Sequence, residues 1–167
     1  MKRVFDLTVS IFALIFLSPL FLVVAVMILL TDGSPVLFRQ ERVGKDNKLF
    51  TVYKFRTMKN NTGDRATAEI ENLDDATTKI GRILRRTSLD ELPQFIDVFM
   101  GSMSVVGPRP QRDFEVQEYD PVYATRLLVK PGITGWAQIN GYRGGTKHLW
   151  QMEKRVEYDV WYIRNWN

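Results

Sequence analysis

Arg85-Arg86-Thr87-Ser88-Leu89-Asp90-Glu91-Leu92-Pro93-Gln94 is the stretch on which both fold and chemistry turn. Two adjacent guanidinium groups precede two adjacent carboxylates, and a helix start is expected between them. Ser88 with Glu91 three residues on reads as a capping box. Asp90 as N-cap, with Pro93 inside the first turn, reads equally well. In either case Asp90 and Glu91 meet unpaired backbone N–H groups and the positive end of a helix dipole, a place that favours ionised carboxylates and attracts phosphate. A carboxylate so held beside arginines can attack a phosphoryl group, the arginines offsetting the charge that builds on its oxygens. Taken alone, the two acids are more simply read as helix caps, since acidic residues are common in first turns.

Working outward, Leu92, Phe95, Ile96 and Phe99 recur at helical spacing and Gly101 is a natural stop. Upstream, Thr78 to Arg86 predicts a basic amphipathic helix, with Ile80, Ile83 and Leu84 as its stripe and Lys79, Arg82, Arg85 and Arg86 off it. Such a helix also suits a membrane surface. Downstream, prolines on both sides of Arg109 hold the backbone extended and project that arginine rigidly, which lowers the entropy cost of binding a phosphate.

The chain has 167 residues, room for one compact domain with a short appendage, and a formal net charge of +4. The charge suits anionic partners without choosing among them. There are no cysteines, which excludes disulfides and thiolate metal sites, and the single histidine, His148, argues against a histidine metal cluster or a Ser-His-Asp triad.

Lys2 and Arg3 open an apolar run from Leu7 to Leu30. As one straight helix it would reach ~36 Å, against a hydrocarbon core of about 30 Å. A signal peptide is disfavoured by that length and by the lack of a small-residue cleavage site. A spanning helix and a re-entrant hairpin stand at even odds. Pro19 at mid-run deletes a backbone hydrogen bond, and Ser18 can satisfy a freed carbonyl. Cations on both flanks, Lys2 and Arg3 before and Arg39, Arg42, Lys45 and Lys48 after, give no charge gradient to orient a span.

Asp32-Gly33-Ser34-Pro35 is a turn, and residues 36–43 and 49–56 read as two strands joined through Gly44-Lys45-Asp46-Asn47, with Asn47 tolerating positive φ. Lys54 and Arg56 then share one strand face, opposite Tyr53 and Phe55. Residues 59–78 read as a polar loop with a short acidic helix near 69–75. Residues 113–129 read as helix broken at Asp120-Pro121, and 130–145 as a glycine-rich loop carrying Trp136, Gln138, Asn140 and Arg143. That loop lacks the patterns of the common nucleotide-binding loops. Thr146 to the end predicts a last helix, with Leu149, Met152, Val156 and Val160 on one face and tryptophans suited to an interface or a core.

Together these residues resemble the bacterial sugar transferase family, the monotopic polyprenyl-phosphate phosphoglycosyl transferases. The resemblance covers essentially the whole chain: Lys2-Arg3 with the Ser18-Pro19 break, Gln40-x-Arg42-x-Gly44, Lys54-Phe55-Arg56-Thr57-Met58, Ser88 to Gln94, Met103-Ser104-x-Val106-Gly107-Pro108-Arg109-Pro110, and Pro131 to Gln138. The segment from Glu157 to Trp166 looks most like the exopolysaccharide-priming members.

The resemblance implies an α+β fold. Residues 1–32 would form a re-entrant membrane helix broken at Ser18-Pro19. Residues 33–167 would form a small mixed catalytic domain, with a β-hairpin and amphipathic membrane-surface helices, on the cytoplasmic face of the bacterial inner membrane. It implies transfer of a sugar-1-phosphate from a UDP-sugar, UDP-glucose or UDP-galactose, to undecaprenyl phosphate, with release of UMP and with Mg²⁺. Asp90 matches the nucleophile that takes the phosphosugar covalently. Glu91 matches its partner in metal or proton handling, so the pair doubles as the metal-binding position. Lys54, Arg85, Arg109 and Arg143 match cations around the phosphates. Membrane lipid is an implied partner, nucleic acid is not, and oligomeric state is left open, a homodimer included.

Elementary electrostatics agrees, because two negative charges 4 Å apart repel by ~4 kcal/mol at an effective dielectric of ~20. Fixed cations and a divalent ion are needed, and the sequence offers arginines but no preformed oxygen cage, the pattern of Mg²⁺ held by one or two carboxylates and substrate phosphates. Three departures from the family pattern stand out. Asp97 stands where asparagine is expected, Ser102 where a charged residue is common, and relatives usually continue past Asn167 with an amphipathic segment on the membrane. The competing class is a non-catalytic, membrane-anchored basic module that binds anionic lipid or a polysaccharide-assembly partner.

Overall fold

The computed structural model describes residues 1–62, 73–112, 121–143 and 149–166. The apolar run folds as two helices, α1 (Lys2–Phe16) and α2 (Ser18–Asp32), whose axes bend by 58° at Leu17. Pro19 lies in the first turn of α2 and cannot donate to the carbonyl of Ile15, four residues back. The Ser18 hydroxyl donates to that oxygen instead, at 2.7 Å, as the sequence predicted. Among the described residues no single helix is long and apolar enough to cross a membrane; the bent pair passes that test only together.

Both ends of the pair are fastened to the rest of the chain. Arg3 donates to the carbonyls of Val98 (2.6 Å) and Phe99 (2.8 Å), and Lys2 donates to the Tyr162 hydroxyl (2.6 Å). At the far end the Arg56 guanidinium donates to the carbonyls of Asp32 (2.7 Å) and Gly33 (2.6 Å). Asp6, buried on α1, accepts from Ser104 Oγ and from the Val105 N–H, both at 2.9 Å. Between these anchors Phe5, Ile11, Phe12, Ile15, Phe16, Leu22, Val23, Met27 and Leu30 are exposed. That concentration of apolar surface is far beyond the scattered exposed side chains of an ordinary surface.

Strands β1 (Leu37–Val43) and β2 (Leu49–Phe55) pair antiparallel, with Phe38 opposite Lys54 and Gln40 opposite Val52. At their turn both Asp46 (φ 56°) and Asn47 (φ 57°) are left-handed, so the predicted Asn47 conformation extends to its neighbour. Phe55 packs with Val24 and Ile28 of α2 and with Leu84, forming one of two small cores among the described residues. The other gathers Val52, Val98 and Met103, with Ile133 and Val105 against it.

Helix α3 (Leu73–Ala76) is followed by α4 (Lys79–Thr87), the predicted basic helix. Its N-cap, Thr78, accepts from the Gly81 N–H at 2.9 Å. Leu84 is buried, whereas Ile83 of the predicted apolar stripe is exposed. The expected helix start at Ser88–Asp90 is corrected by the structure. Ser88 is left-handed (φ 61°) and caps the C-terminus of α4; Leu89–Glu91 is a single 3-10 turn; the next helix, α5 (Gln94–Met100), begins only after Pro93. Neither a capping box nor an Asp90 N-cap forms, because a left-handed Ser88 reverses the chain within one residue and leaves the carboxylates on the bend. Gly101 (φ 94°) ends α5 as predicted.

The segments after α5 read as extended or loop-like, yet they contain a pairing the sequence did not suggest. β3 (Ser104–Val106) lies parallel to β4 (Gly132–Thr134). A Cβ on Gly132 would lie 2.1 Å from the backbone nitrogen of Gly107, so only glycine permits this approach. Between them lie α6 (Pro121–Ala124) and a 3-10 turn (Thr125–Leu128), and after β4 comes the short α7 (Trp136–Ile139). The final helix, α8 (Leu149–Asn165), buries Val156 and Tyr162 and stacks Trp161 on Trp136 with centroids 4.9 Å apart. The helix expected over 113–120, the acidic helix before Leu73, the glycines at 144–145 and the predicted helix start at Thr146 lie outside the described residues.

Candidate active site

The 3-10 turn Leu89–Glu91 opens onto a cleft of about 660 Å³. Its walls carry Asp90 and Glu91 among cations from four parts of the chain: Arg42 and Lys54 from the β-hairpin, Arg85 from α4, Arg109 and Arg112 from the segment after β3, and Arg143 from the loop after α7. All six residues predicted for the chemistry, Asp90, Glu91, Lys54, Arg85, Arg109 and Arg143, therefore border one space. Ser18 and Pro19 sit at the helix bend and are not among the residues that line the cleft.

Glu91 is the electrostatic hub. Its Oε1 accepts from Lys54 Nζ at 3.0 Å and from Arg109 Nη2 at 2.9 Å, with only 11% of its side chain exposed. Burial would raise its pKa, but Lys54 and Arg109 outweigh that and hold the carboxyl at about 2. The Lys54 pKa is lowered as well, but here burial is the cause: it disfavours the charged ammonium and Arg109 adds to this, while Glu91 opposes both.

Asp90 behaves unlike its neighbour, and the expectation that the local helix would favour its ionised form needs correction. Burial pushes its carboxyl above the ordinary value and the charge of Glu91 adds to that; Lys54 and Arg85 pull it down without prevailing. The reason is geometric. Asp90 does not sit at a helix mouth, and the two nearest strong donors to the pair are committed to Glu91. The result is one clamped carboxylate and one poorly solvated carboxyl side by side, two environments that suit two roles.

The cations are held with different firmness. Lys54 is set by the strand register and by Asp97, which accepts from the Tyr53 N–H at 3.1 Å. Arg109 extends from the Pro108–Pro110 backbone, which β3 and β4 pin through Gly107 N–H to Thr134 O (2.9 Å) and Gly132 N–H to Pro108 O (2.9 Å). Arg143 is exposed at the rim and donates to Ser88 Oγ, so that serine serves an arginine rather than a helix cap.

Arg42, Arg56 and Arg112 also border the cleft and were not singled out for the chemistry. For Arg42 and Arg112 a signal existed: the first belongs to the Gln40-x-Arg42-x-Gly44 pattern and the second follows the proline-flanked arginine by three residues. Arg56, just past the end of β2, borders the cleft together with Lys54 and Phe55, but its guanidinium is spent on the end of α2 and on Asn60. Among the described residues no group of three or more acidic or histidine side chains forms a metal cage. Asp90 and Glu91 are the carboxylates at the cleft that could hold a divalent ion, Glu91 Oε1 being engaged by Lys54 and Arg109 as well. This donor set fits Mg²⁺.

Over its full length the chain is 48% identical to the UDP-glucose:undecaprenyl-phosphate glucose-1-phosphate transferase of Escherichia coli (strain K12), covering 37% of that protein. Over 99% of its length it is 49% identical to the protein of the same name from Klebsiella pneumoniae, covering 36% of it. It thus spans about a third of the length of these two relatives. It is also 44% identical to the uncharacterized sugar transferase EpsL of Bacillus subtilis (strain 168), here covering 79% of the relative. The sequence model of the family described as Bacterial sugar transferase matches residues 1–167, and the chain belongs to that family.

Proposed function

We propose that the chain transfers a sugar-1-phosphate from a UDP-sugar to undecaprenyl phosphate, releasing UMP, by way of a phosphosugar carried on Asp90. The observation that carries this reading is the asymmetric pair at the cleft: Glu91 clamped by Lys54 and Arg109, and Asp90 desolvated beside it. The names of the relatives support UDP-glucose as donor and undecaprenyl phosphate as acceptor.

An Asp90 carboxylate oxygen attacks the phosphorus that bears the sugar. The bond from that phosphorus to the bridging oxygen breaks, and UMP departs with the electron pair. An oxygen of the lipid phosphate then attacks the same phosphorus and returns Asp90 to its carboxylate, leaving the sugar on a lipid diphosphate. No proton need move in either displacement. Poor solvation makes the Asp90 carboxylate more reactive once ionised. Lys54 and Arg109, held in place by Glu91, supply fixed positive charge where phosphoryl oxygens gain negative charge, and Arg85 and Arg143 extend that field across the cleft. Mg²⁺, bound by Asp90 and Glu91 together with the diphosphate, would add charge neutralisation on the leaving phosphate.

The membrane reading rests on the helix pair. Both ends of α1–α2 are bonded to the body that carries the cleft, and the apolar side chains between them are exposed. This favours a re-entrant segment that enters and leaves by one face, the cytoplasmic face of the inner membrane, where a UDP-sugar is available to the cleft and a polyprenyl tail can stay in lipid. Priming of exopolysaccharide synthesis is the matching role.

The deciding experiment is a donor panel with undecaprenyl phosphate in nanodiscs, read by UMP release and by mass analysis of the protein quenched in mid-turnover. The reading requires the hexose-phosphate mass on the peptide containing position 90. Lipid-linked product formed while that peptide stays bare would refute the covalent route. Absence of UMP from every donor would favour the non-catalytic module.

A further inference from the structure

Helix α8 and Arg126, the buried residue of the 3-10 turn before β4, hold the backbone on which Arg109 stands, and they do so at two points. Arg126, 4% exposed in the 3-10 turn, donates from Nε to Asp159 Oδ2 of α8 at 2.8 Å, and its Nη2 reaches the carbonyl of Arg109 at 3.3 Å. Asp159 is equally hidden, at 2%. One turn further along α8 the Tyr162 hydroxyl donates to the carbonyl of Val106 at 2.9 Å and accepts from Lys2 at 2.6 Å. The two carbonyls bracket Gly107-Pro108. From that bracket Arg109 reaches Glu91, 18 residues back in the chain.

A buried ion pair is weak evidence for added stability, because desolvating two charges offsets most of their attraction. Its geometric consequence is firmer. Asp159 fixes the planar guanidinium of Arg126, so the remaining N–H groups point in a set direction. One of them meets the main chain of the residue whose own side chain enters the cleft. The prolines on either side of Arg109 restrict the local torsions, and the contacts from Arg126 and Tyr162 restrict where that stiff segment lies.

Resting on the catalytic reading above, we infer that Arg126, Asp159 and Tyr162 are positioning residues for the transfer: α8 sets the placement of Arg109 against Glu91 and the donor phosphates without touching substrate. A merely structural α8 would contribute to folding and leave Arg109 no differently placed.

A double-mutant cycle separates the two. Arg126→Lys retains the charge opposite Asp159 but loses the fixed fork; Tyr162→Phe retains the ring and loses only the hydroxyl bonds. Each is combined with Arg109→Ala in the full chain, purified in detergent, with UMP release measured across UDP-sugar concentrations and folding checked by thermal melt. With Arg109 present, each single change should lower kcat by about tenfold to a hundredfold, the cost of an ångström-scale misplacement. In the Arg109→Ala background the same changes should alter kcat by no more than about twofold, since residues that act through a shared partner are not additive. Full additivity in both backgrounds would overturn the inference. If Arg126→Lys fails to fold, the Tyr162→Phe cycle decides. Wild-type protein that releases no UMP from any donor would sink the catalytic reading itself, whereas an active wild type with additive effects sinks only the role of α8.

Discussion

Asp90 and Glu91 are neighbours in one 3-10 turn and shift in opposite directions, Asp90 upward by burial and Glu91 down to about 2, where Lys54 and Arg109 overcome the same burial. Adjacent carboxylates of identical charge are thus made chemically distinct by which of them the cations reach.

The first consequence concerns the two amide substitutions. Asp90→Asn should abolish both the phosphosugar adduct and turnover, by at least about a thousandfold, the scale of removing a nucleophile. Glu91→Gln should still form the adduct, but more slowly by about a hundredfold, because Lys54 and Arg109 lose the anion that places them. Quenched-flow mass analysis of both variants checks this; adduct on Asp90→Asn would contradict the assignment.

Asp97 gives a prediction about pH. Its carboxyl is 1% exposed and accepts from the Tyr53 N–H, and burial raises its pKa from 3.8 to about 6. The folded state therefore holds this proton more tightly than the unfolded chain, and stability falls as pH rises from about 4 through about 6. A rise of this size costs about 3 kcal/mol once the group is ionised. Asp97→Asn keeps an acceptor for Tyr53 and removes the charge. Its melting temperature should exceed wild type at pH 7.5, and the gap should close at pH 4. An equal gap at both values would mean that the charge is not the cause.

Gly132→Ala tests the glycine contact behind Arg109. The new Cβ would lie 2.1 Å from Gly107 N, so β3 and β4 must separate. Overpacking of this kind costs about 1–3 kcal/mol, and the displaced segment carries Arg109. Both the melting temperature and UMP release should fall. A variant with wild-type melting and turnover would show that the strand pair tolerates separation.

Membrane topology is tested at the helix break. With Lys2→Cys as the reporter, a membrane-impermeant thiol reagent applied to intact cells should leave position 2 unlabelled, as it should a cysteine placed on the catalytic body. Pro19→Ala restores the missing N–H for Ile15 O, which the Ser18 hydroxyl now serves. It should straighten the pair and expose position 2 to the reagent in part of the population. Labelling at position 2 without Pro19→Ala would exclude the re-entrant arrangement.

The sequence by itself determined what depends on near neighbours. The break at Ser18-Pro19, the β-hairpin with its left-handed turn, the basic helix after Thr78 and the stop at Gly101 all follow from local torsions and short-range hydrogen bonds. The adjacency of Asp90 and Glu91, and the rigid display of Arg109 between prolines, were legible for the same reason. Only the tertiary structure decided what depends on distance in the chain. Ser88 read as a helix cap because the Ser-x-x-Glu spacing permits one, but its left-handed torsion is set by how α4 and α5 pack. Lys54 meets Glu91 across 37 residues and Asp6 meets Ser104 across 98, and neither has a periodic signature. The parallel contact of β3 with β4 involves strands of only three residues, too short for alternation to register. Burial completes the difference: a carboxylate's proton affinity depends on the water removed from it and on the cations that face it, both of which exist only after the chain has folded.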